Sequence, residues 1–210
     1  MRKIMLTTLA ILSLAAVAGA AVLWDQSEAD MGAPGFFNTE SGAPPFGLTM
    51  FTVNDIVVDQ MWTVTTISTY WSILDENWAT LSEGYLHVFP KTGPLPGESD
   101  DPTLSMLVPM TATVDANFGT LVAGGLDLAL EPGEYWIGIT PIAPAGPFGP
   151  EVHLSSTMLM GDDSASYDPY GMPVAWFNFN PGYDATILIE GETTVATEAK
   201  SLSEVKALFR

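Results

Sequence analysis

The sequence predicts an all-β protein, a jelly-roll-like antiparallel β-sandwich with a short C-terminal helix. Its 19 glycines and 16 prolines are spread along the chain and fall between short apolar or alternating segments. This rhythm is typical of sandwiches and barrels, in which many short strands are joined by turns. Helical periodicity is almost absent before the C-terminus. Apolar and aromatic residues make up 47% of the chain, which is enough to bury a sizeable core.

Ten segments with apolar or alternating patterns are predicted to be strands. Two turn signals between them are strong, Pro94-Leu95-Pro96-Gly97 and Glu131-Pro132-Gly133, because proline fixes φ and glycine allows a positive φ. Residues 30–45 and the proline-rich residues 141–150 are predicted to be surface loops. The predicted strands cover residues 48–53, 62–73, 84–89, 103–110, 119–121, 125–130, 133–139, 152–159, 174–178 and 185–190.

The first 20 residues have the layout of a secretory signal peptide. Arg2 and Lys3 precede an apolar run over residues 4–17, and Ala18-Gly19-Ala20 provides a cleavage site before Ala21. The apolar run is shorter than the roughly 20 residues that a membrane-spanning helix needs. No later stretch is long and apolar enough to cross a membrane, so we expect no transmembrane segment after signal cleavage. The mature protein is therefore expected to be secreted or held at the cell surface.

Three regions follow from this reading: a signal peptide (1–20), a β-sandwich domain (21–191) and a C-terminal segment (192–210). The C-terminal segment begins with a polar spacer and continues with Ser201-Leu202-Ser203-Glu204, a capping box that predicts the start of a helix. An apolar stripe at helical spacing follows, formed by Leu202, Val205, Leu208 and Phe209. We expect a short amphipathic helix that either docks on the sandwich or serves as an attachment or recognition tag.

The charge of the chain is strongly one-sided. All 25 acidic residues follow the predicted cleavage site, where only four Lys and Arg remain, which gives a net charge of about −21. Such a surface repels phosphate backbones and anionic lipids, so no nucleic-acid partner is expected. The chain has no cysteine, which excludes disulfides, thiolate metal sites and cysteine nucleophiles. The acids either keep the protein soluble by self-repulsion or bind Ca²⁺, which prefers oxygen ligands.

The best candidate for a Ca²⁺ site is the segment over residues 161–171. Asp162, Asp163 and Asp168 lie there within a few residues of each other, together with hydroxyl groups and loop carbonyls. Oxygen ligands of these kinds can surround Ca²⁺, although the segment lacks the EF-hand spacing. The alternative is an ordinary acidic turn between two strands.

Aromatic residues provide the second candidate site. In the segment 85–89, strand alternation places Tyr85 and His87 on one face together with Phe89. Sugar rings stack on exposed aromatic side chains, so a sheet face of this kind could form a saccharide platform. The alternative is that the rings fill the core and cover strand ends. The candidate platform residues are Tyr70, Trp71, Tyr85, His87, Trp136 and Trp176.

Evidence for catalysis is thin. His87 and His153 are the only histidines, and no Gly-x-Ser-x-Gly motif places a nucleophile beside either of them. A zinc site would need both histidines and a carboxylate, without a His-Glu-x-x-His helix. Paired carboxylates for glycoside hydrolysis are always available among 25 acids, so their presence carries no information.

Several short segments of the mature chain follow one another in a familiar order. They are Val22-Leu23-Trp24-Asp25-Gln26, Phe51-Thr52-Val53, Trp62-Thr63-Val64-Thr65-Thr66-Ile67, residues 84–89, Pro94-Leu95-Pro96-Gly97, residues 130–139 and residues 183–191. In this order the chain resembles a loose group of uncharacterised exported bacterial proteins, many of which carry a C-terminal PEP-CTERM-type sorting signal. The resemblance implies a jelly-roll-like β-sandwich with an extracellular or surface role and no known catalytic residue. The chain departs from the group at its end, because it lacks the Pro-Glu-Pro motif, membrane helix and basic terminus of that signal.

Taken together, the sequence favours a non-catalytic exported protein of the cell surface or extracellular matrix, with a structural, adhesive or glycan-binding role. Its expected partners are an extracellular glycan or other surface proteins. Two alternatives stay open. A polysaccharide-active hydrolase would show a deep cleft with two facing carboxylates. A subunit of a surface assembly would show an uncovered apolar edge strand, or a C-terminal helix that docks on a neighbouring copy.

Overall fold

Period-two alternation of apolar side chains builds two antiparallel sheets, which pack face to face as a sandwich. The computed structural model describes residues 20–40, 49–72, 78–115, 118–143, 152–171 and 174–194. Every pair of neighbouring strands in the two sheets is antiparallel. An all-β fold of two antiparallel sheets is thus confirmed.

Each sheet contains six strands. In sheet I the order is β1 (Ala21–Gln26), β12 (Ile187–Thr194), β3 (Met61–Ser72), β7 (Phe118–Leu130) and β6 (Thr111–Asp115), with β9 (Val152–His153) paired to the end of β3. In sheet II the order is β11 (Trp176–Phe177), β10 (Ala165–Tyr167), β2 (Phe51–Val58), β8 (Gly133–Pro141), β4 (Glu83–Pro90) and β5 (Met106–Pro109).

The core lies between the two sheets and is built from one face of each. On β8, Ile137 and Ile139 point into it, whereas Trp136 lies on the opposite face of the sheet. From sheet I, Trp71 enters the core and packs against Trp78, with 5.2 Å between the ring centroids. Burying side chains of this size removes a large apolar area from water, and it stabilises a fold that has no disulfides.

Strand β7 is longer than the sequence predicts, because it joins the two predicted strands 119–121 and 125–130. Gly125 adopts a φ of 69° inside it, and the register with β3 shifts between Val64 and Thr66. The glycine pair Gly124-Gly125 therefore does not end the strand. It accommodates a bulge, as glycines within strands often do.

Other differences concern short or polar segments. Strands β1, β6 and β10 are not predicted, and the predicted strand 152–159 is limited to its first two residues. The described residues contain only two three-residue 3₁₀ helices, Trp78–Thr80 and Pro102–Leu104, and none of their helices has the length and apolarity needed to span a bilayer. The predicted C-terminal helix lies outside the described residues and is unsupported.

A substitution in β7 tests the packing of Trp78. A Cβ at Gly119 would meet three atoms of the Trp78 indole at 2.6–2.8 Å, so we expect Gly119→Ala to lower the free energy of unfolding by about 1–3 kcal/mol. Urea denaturation followed by tryptophan fluorescence measures the change.

Gly124→Ala is the matched control on the same strand. Its Cβ would have no neighbour closer than 4.0 Å, so the free energy of unfolding should stay the same or rise by about 0.4–1 kcal/mol. Equal losses in both variants would show that the cost comes from the strand backbone and not from the tryptophan.

Candidate functional site

The outer face of sheet II carries a continuous aromatic cluster. We call it the aromatic face and define it by seven residues on β2, β4, β8, β10 and β11. Strand alternation places them together, since each lies on the side of its strand that points away from the core. These residues are Phe51, Tyr85, His87, Phe89, Trp136, Tyr167 and Trp176.

All rings of the aromatic face except that of Trp136 are connected by ring contacts, and Trp136 belongs to the same buried cluster as Trp176. Along β4, His87 lies between Tyr85 and Phe89, with centroid distances of 6.3 and 6.2 Å. Trp176 then contacts Phe89 at 5.9 Å and Tyr167 at 5.2 Å. These distances fall in the range where edge-to-face and offset aromatic pairs are favourable.

Most of the aromatic face is covered by the residues that connect β4 to β5. We call residues 91–105 the covering loop. Its Asp100 carbonyl accepts a hydrogen bond from Trp176 Nε1 at 2.7 Å, and Ser105 Oγ lies 2.8 Å from His87 Nδ1. His87 and Trp136 are fully buried, and Trp176 is 7% exposed. The face is therefore not an open platform.

The acidic part of the covering loop is held by its own side chains. Asp100 accepts a hydrogen bond from the Gly97 amide at 2.7 Å, and Asp101 caps the 3₁₀ helix by accepting from the Thr103 amide at 2.9 Å. These bonds satisfy backbone donors that the turns leave without a partner, so the loop keeps a defined shape over the rings.

One cleft stays open at the end of the aromatic face, beside β10 and β11. Its volume is about 580 Å³, and both rings that line it, those of Tyr167 and Trp176, belong to the aromatic network. The covering loop forms the other wall and contributes the carboxylate of Glu98. The full lining is Leu95, Pro96, Glu98, Tyr167, Val174, Ala175 and Trp176. A cleft lined by aromatic and aliphatic side chains and one charged group is typical of small-ligand sites.

A chain of hydrogen bonds begins at Ser105 and passes through His87 into the sheet. Thr140 Oγ1 donates to Asn38 Oδ1 at 2.5 Å, so it must accept from His87 Nε2, which lies 2.9 Å away. His87 Nδ1 is then the acceptor of a hydrogen bond that the Ser105 hydroxyl donates. The geometry therefore defines His87 as a neutral imidazole with its proton on Nε2.

The same chain continues from Asn38 to the second histidine. Asn38 Nδ2 donates to His153 Nδ1 at 3.0 Å, and His153 Nε2 donates to the Thr186 carbonyl at 2.7 Å. The orientation of the Asn38 amide is fixed, because its Oδ1 accepts from the Thr52 amide and its Nδ2 donates to the Ile139 carbonyl. Both histidines of the protein thus belong to one chain, which we call the histidine relay.

Burial keeps both imidazoles of the histidine relay neutral. It lowers the pKa of His87 to about 3 and the pKa of His153 to about 4, the latter despite a hydrogen bond to the Thr186 carbonyl that acts in the opposite direction. A general base should titrate near the working pH. The Ser105–His87 contact resembles half of a catalytic triad, but an imidazole with so low a pKa activates a hydroxyl poorly.

A second polar cluster lies at the other end of the aromatic face, around Lys91. Lys91 Nζ lies 2.7 Å from Asp162, 2.9 Å from Asp55 and 5.2 Å from the centre of the Trp136 ring. Burial of Lys91 favours the uncharged amine, but its hydrogen bonds to Asp162 and Asp55 outweigh this effect and raise its pKa. This cluster joins the covering loop to β2 and to the start of the acidic segment 161–171.

Within this cluster, Asp55 is buried and holds the neighbouring turn. Its Oδ2 accepts a hydrogen bond from the Asp162 amide at 2.8 Å, while its Oδ1 has no hydrogen-bond partner among the described residues. Gly161 packs against the carboxylate with a φ of 77°, and a side chain at this position would overlap Asp55. Two requirements therefore select glycine here, the positive φ and the close approach.

The candidate platform residues divide between the two sheets. Four of them, Tyr85, His87, Trp136 and Trp176, lie together on the aromatic face. Trp71 instead fills the core and stacks on His153 with 4.9 Å between the centroids. Tyr70, its neighbour on β3, therefore lies on the outer face of sheet I. The sequence does not single out Tyr167 and Glu98, because their proximity to Trp176 depends on the pairing of β10 with β11 and on the path of the covering loop.

The three candidate Ca²⁺ ligands do not converge. Asp162 pairs with Lys91, and Asp163 accepts hydrogen bonds from Asn178 and Gly182. Asp168 accepts a hydrogen bond from the amide of Tyr170, two residues further along the chain. No group of three or more acidic or histidine side chains suited to a metal occurs within the described ranges. Ca²⁺ binding by this segment stays a prediction.

Comparison of the chain with protein-family models, curated proteins and solved structures gives no match, so no family is identified.

A substitution at Gly161 tests the Asp55 contact. Gly161→Ala places a methyl group against the buried carboxylate, in a backbone conformation with positive φ. The positive φ alone costs a non-glycine residue about 1–2 kcal/mol. We therefore expect the free energy of unfolding to fall by more than about 2 kcal/mol. Gly182→Ala is the control, since its φ is 86° but no atom lies within 4 Å of the added Cβ. Urea midpoints of the two variants separate the backbone cost from the contact, and equal midpoints would contradict a specific contact with Asp55.

The histidine relay makes stability depend on pH. Each unfolded histidine binds a proton below pH 6.5, whereas the folded histidines bind one only near pH 4 and pH 3, so acid favours unfolding through both. Asp184 opposes this, because burial raises its pKa to about 6 and the folded state takes up its proton first. The two histidines outweigh the one aspartate, so the free energy of unfolding should fall by about 1.4 kcal/mol for each pH unit by which the pH is lowered around pH 5.

Urea denaturation at a series of pH values measures this slope, which should vanish above pH 7. Nitrogen-15 spectra of the imidazoles provide an independent test. At pH 5 both histidines should show the neutral pattern with the proton on Nε2. Titration of either histidine near pH 6.5 would contradict the relay.

Proposed function

We propose that this protein is an exported, non-catalytic β-sandwich of the cell surface or extracellular matrix that binds a glycan. The observation that carries the proposal is the cleft beside β10 and β11, where Tyr167 and Trp176 face Glu98 of the covering loop. Aromatic faces pack against the apolar faces of sugar rings, and a carboxylate accepts hydrogen bonds from sugar hydroxyls.

The charge of the protein narrows the class of glycan. With a formal net charge of −19, the protein repels polyanions, so a neutral chain suits the cleft better than an acidic one. Of the acidic residues, only Glu98 lines the cleft within the described chain, which disfavours hydrolysis by two facing carboxylates. The low pKa of His87 likewise disfavours acyl transfer by Ser105.

Strand order supports the jelly-roll form of the sandwich and, with it, the proposed likeness to exported surface proteins. Four antiparallel pairs are nested along the chain: β1–β12, β2–β8, β3–β7 and β4–β5. The first and third pairs form most of sheet I, and the second and fourth form most of sheet II. This nested pairing supports the proposed jelly-roll arrangement. Many lectin domains share it, but the fold alone does not define a ligand.

Binding to neutral polysaccharides tests the proposal. The protein, expressed from its full sequence, should be retained on at least one insoluble or arrayed neutral glycan. Tyr167→Ala should weaken this binding about tenfold, since stacking on one aromatic ring contributes on the order of 1–2 kcal/mol. Binding is measured by affinity electrophoresis or calorimetry.

Tyr170→Ala is the matched control, because Tyr170 is 49% exposed but does not line the cleft. It should leave the binding unchanged, and no reducing ends should be released from the glycan. Equal losses in both variants would overturn the site, and release of reducing ends would overturn the non-catalytic role.

A further inference from the structure

The rim formed by β5 and β6, together with Leu104 just before β5, exposes four large apolar side chains. Strand β5 is the last strand of sheet II, and β6 is the last strand of sheet I. The two strands are consecutive in sequence, so the open edges of both sheets lie on the same side of the sandwich. Leu104 is 82% exposed, Met106 60%, Leu107 55% and Val114 56%. Proteins normally protect such an edge from other chains.

The charge pattern indicates what covers this rim. Residues 104–114 contain no charged side chain, although the protein carries 25 acids. Two copies repel each other wherever acidic surfaces approach, and they repel least at a neutral, apolar strand. From these observations we infer that a second copy of this chain binds at the rim, with β5 of one copy antiparallel to β5 of the other.

The geometry of β5 limits the size of this interface. Pro109 has no N–H group, so the added ladder is restricted to residues 106–108 of each copy. A two-fold axis beside Leu107 places Leu107 of the two copies side by side and Met106 of each copy opposite Val108 of the other, since a symmetric interface uses the same patch twice. The interface is smaller than a standard one, and we expect a dissociation constant on the order of 10–1,000 μM.

Sedimentation equilibrium of the protein expressed from its full sequence tests the inference. We expect a reversible monomer–dimer equilibrium that strengthens as NaCl is added, because salt screens the repulsion between the acidic flanks, Glu83 and Asp115 among them. Leu107→Lys should weaken dimerisation at least tenfold by placing like charges across the axis. Circular dichroism and the urea midpoint verify that this exposed substitution leaves the fold intact.

Leu159→Lys is the matched control, since Leu159 is 60% exposed and lies outside the rim. It should leave the dissociation constant unchanged. Tyr167→Ala should also leave it unchanged, so that a failure of glycan binding and a failure of dimerisation are distinguishable.

Three outcomes would overturn the inference. The first is a monomer at every concentration. The second is an equal loss of association in the two lysine variants. The third is association that weakens with salt and on replacement of Lys200, Lys206 and Arg210 by glutamine, which would assign the rim to the cationic C-terminal segment.

Discussion

The structure depends on hydrogen bonds between polar side chains that are buried inside the sandwich. Without cysteines, the ends of the two sheets are joined by the histidine relay, which connects Thr140 of sheet II through Asn38 to His153 beside β3. A buried donor or acceptor without a partner costs on the order of 1–3 kcal/mol. Each member of the relay therefore fixes the position and the protonation state of the next one. Burial keeps both imidazoles uncharged at neutral pH, and their hydrogen bonds connect residues of the two sheets.

Strand alternation made the main strands and part of the candidate site predictable. The apolar pattern of β3, β4 and β8 placed these strands to within about two residues, and it placed Tyr85 and His87 on one face. Alternation cannot show which sheet a strand joins, so the sequence groups Tyr70 and Trp71 with rings that lie on the other sheet. Strand β6 was missed because Thr111–Asp115 is an exposed edge with little apolar alternation.

The remaining features depend on contacts between distant residues, and no local pattern reports them. Asn38 and Thr140 are 102 residues apart, and Lys91 meets Asp55 across 36 residues. Lys91 is the only Lys or Arg of the described ranges, and it lies over Trp136. Its positive charge allows the carboxylates of Asp55 and Asp162 to lie close together there. The same acids suggest Ca²⁺ ligands in the sequence. In the fold, Asp162 already has a cation partner in Lys91.

The covering loop determines which parts of the aromatic face and of sheet II remain available. It leaves the end of β4, reaches Trp176 at one edge of the sheet through Asp100, and returns past His87 to β5 at the opposite edge. Four strands separate β11 from β5, which at about 4.8 Å per strand spacing puts the cleft and the rim roughly 24 Å apart. A dimer joined at β5 would therefore leave both clefts open. Two clefts on one rigid body raise the apparent affinity for a repetitive polymer, so a weak site for a single sugar unit is compatible with firm attachment to a polysaccharide.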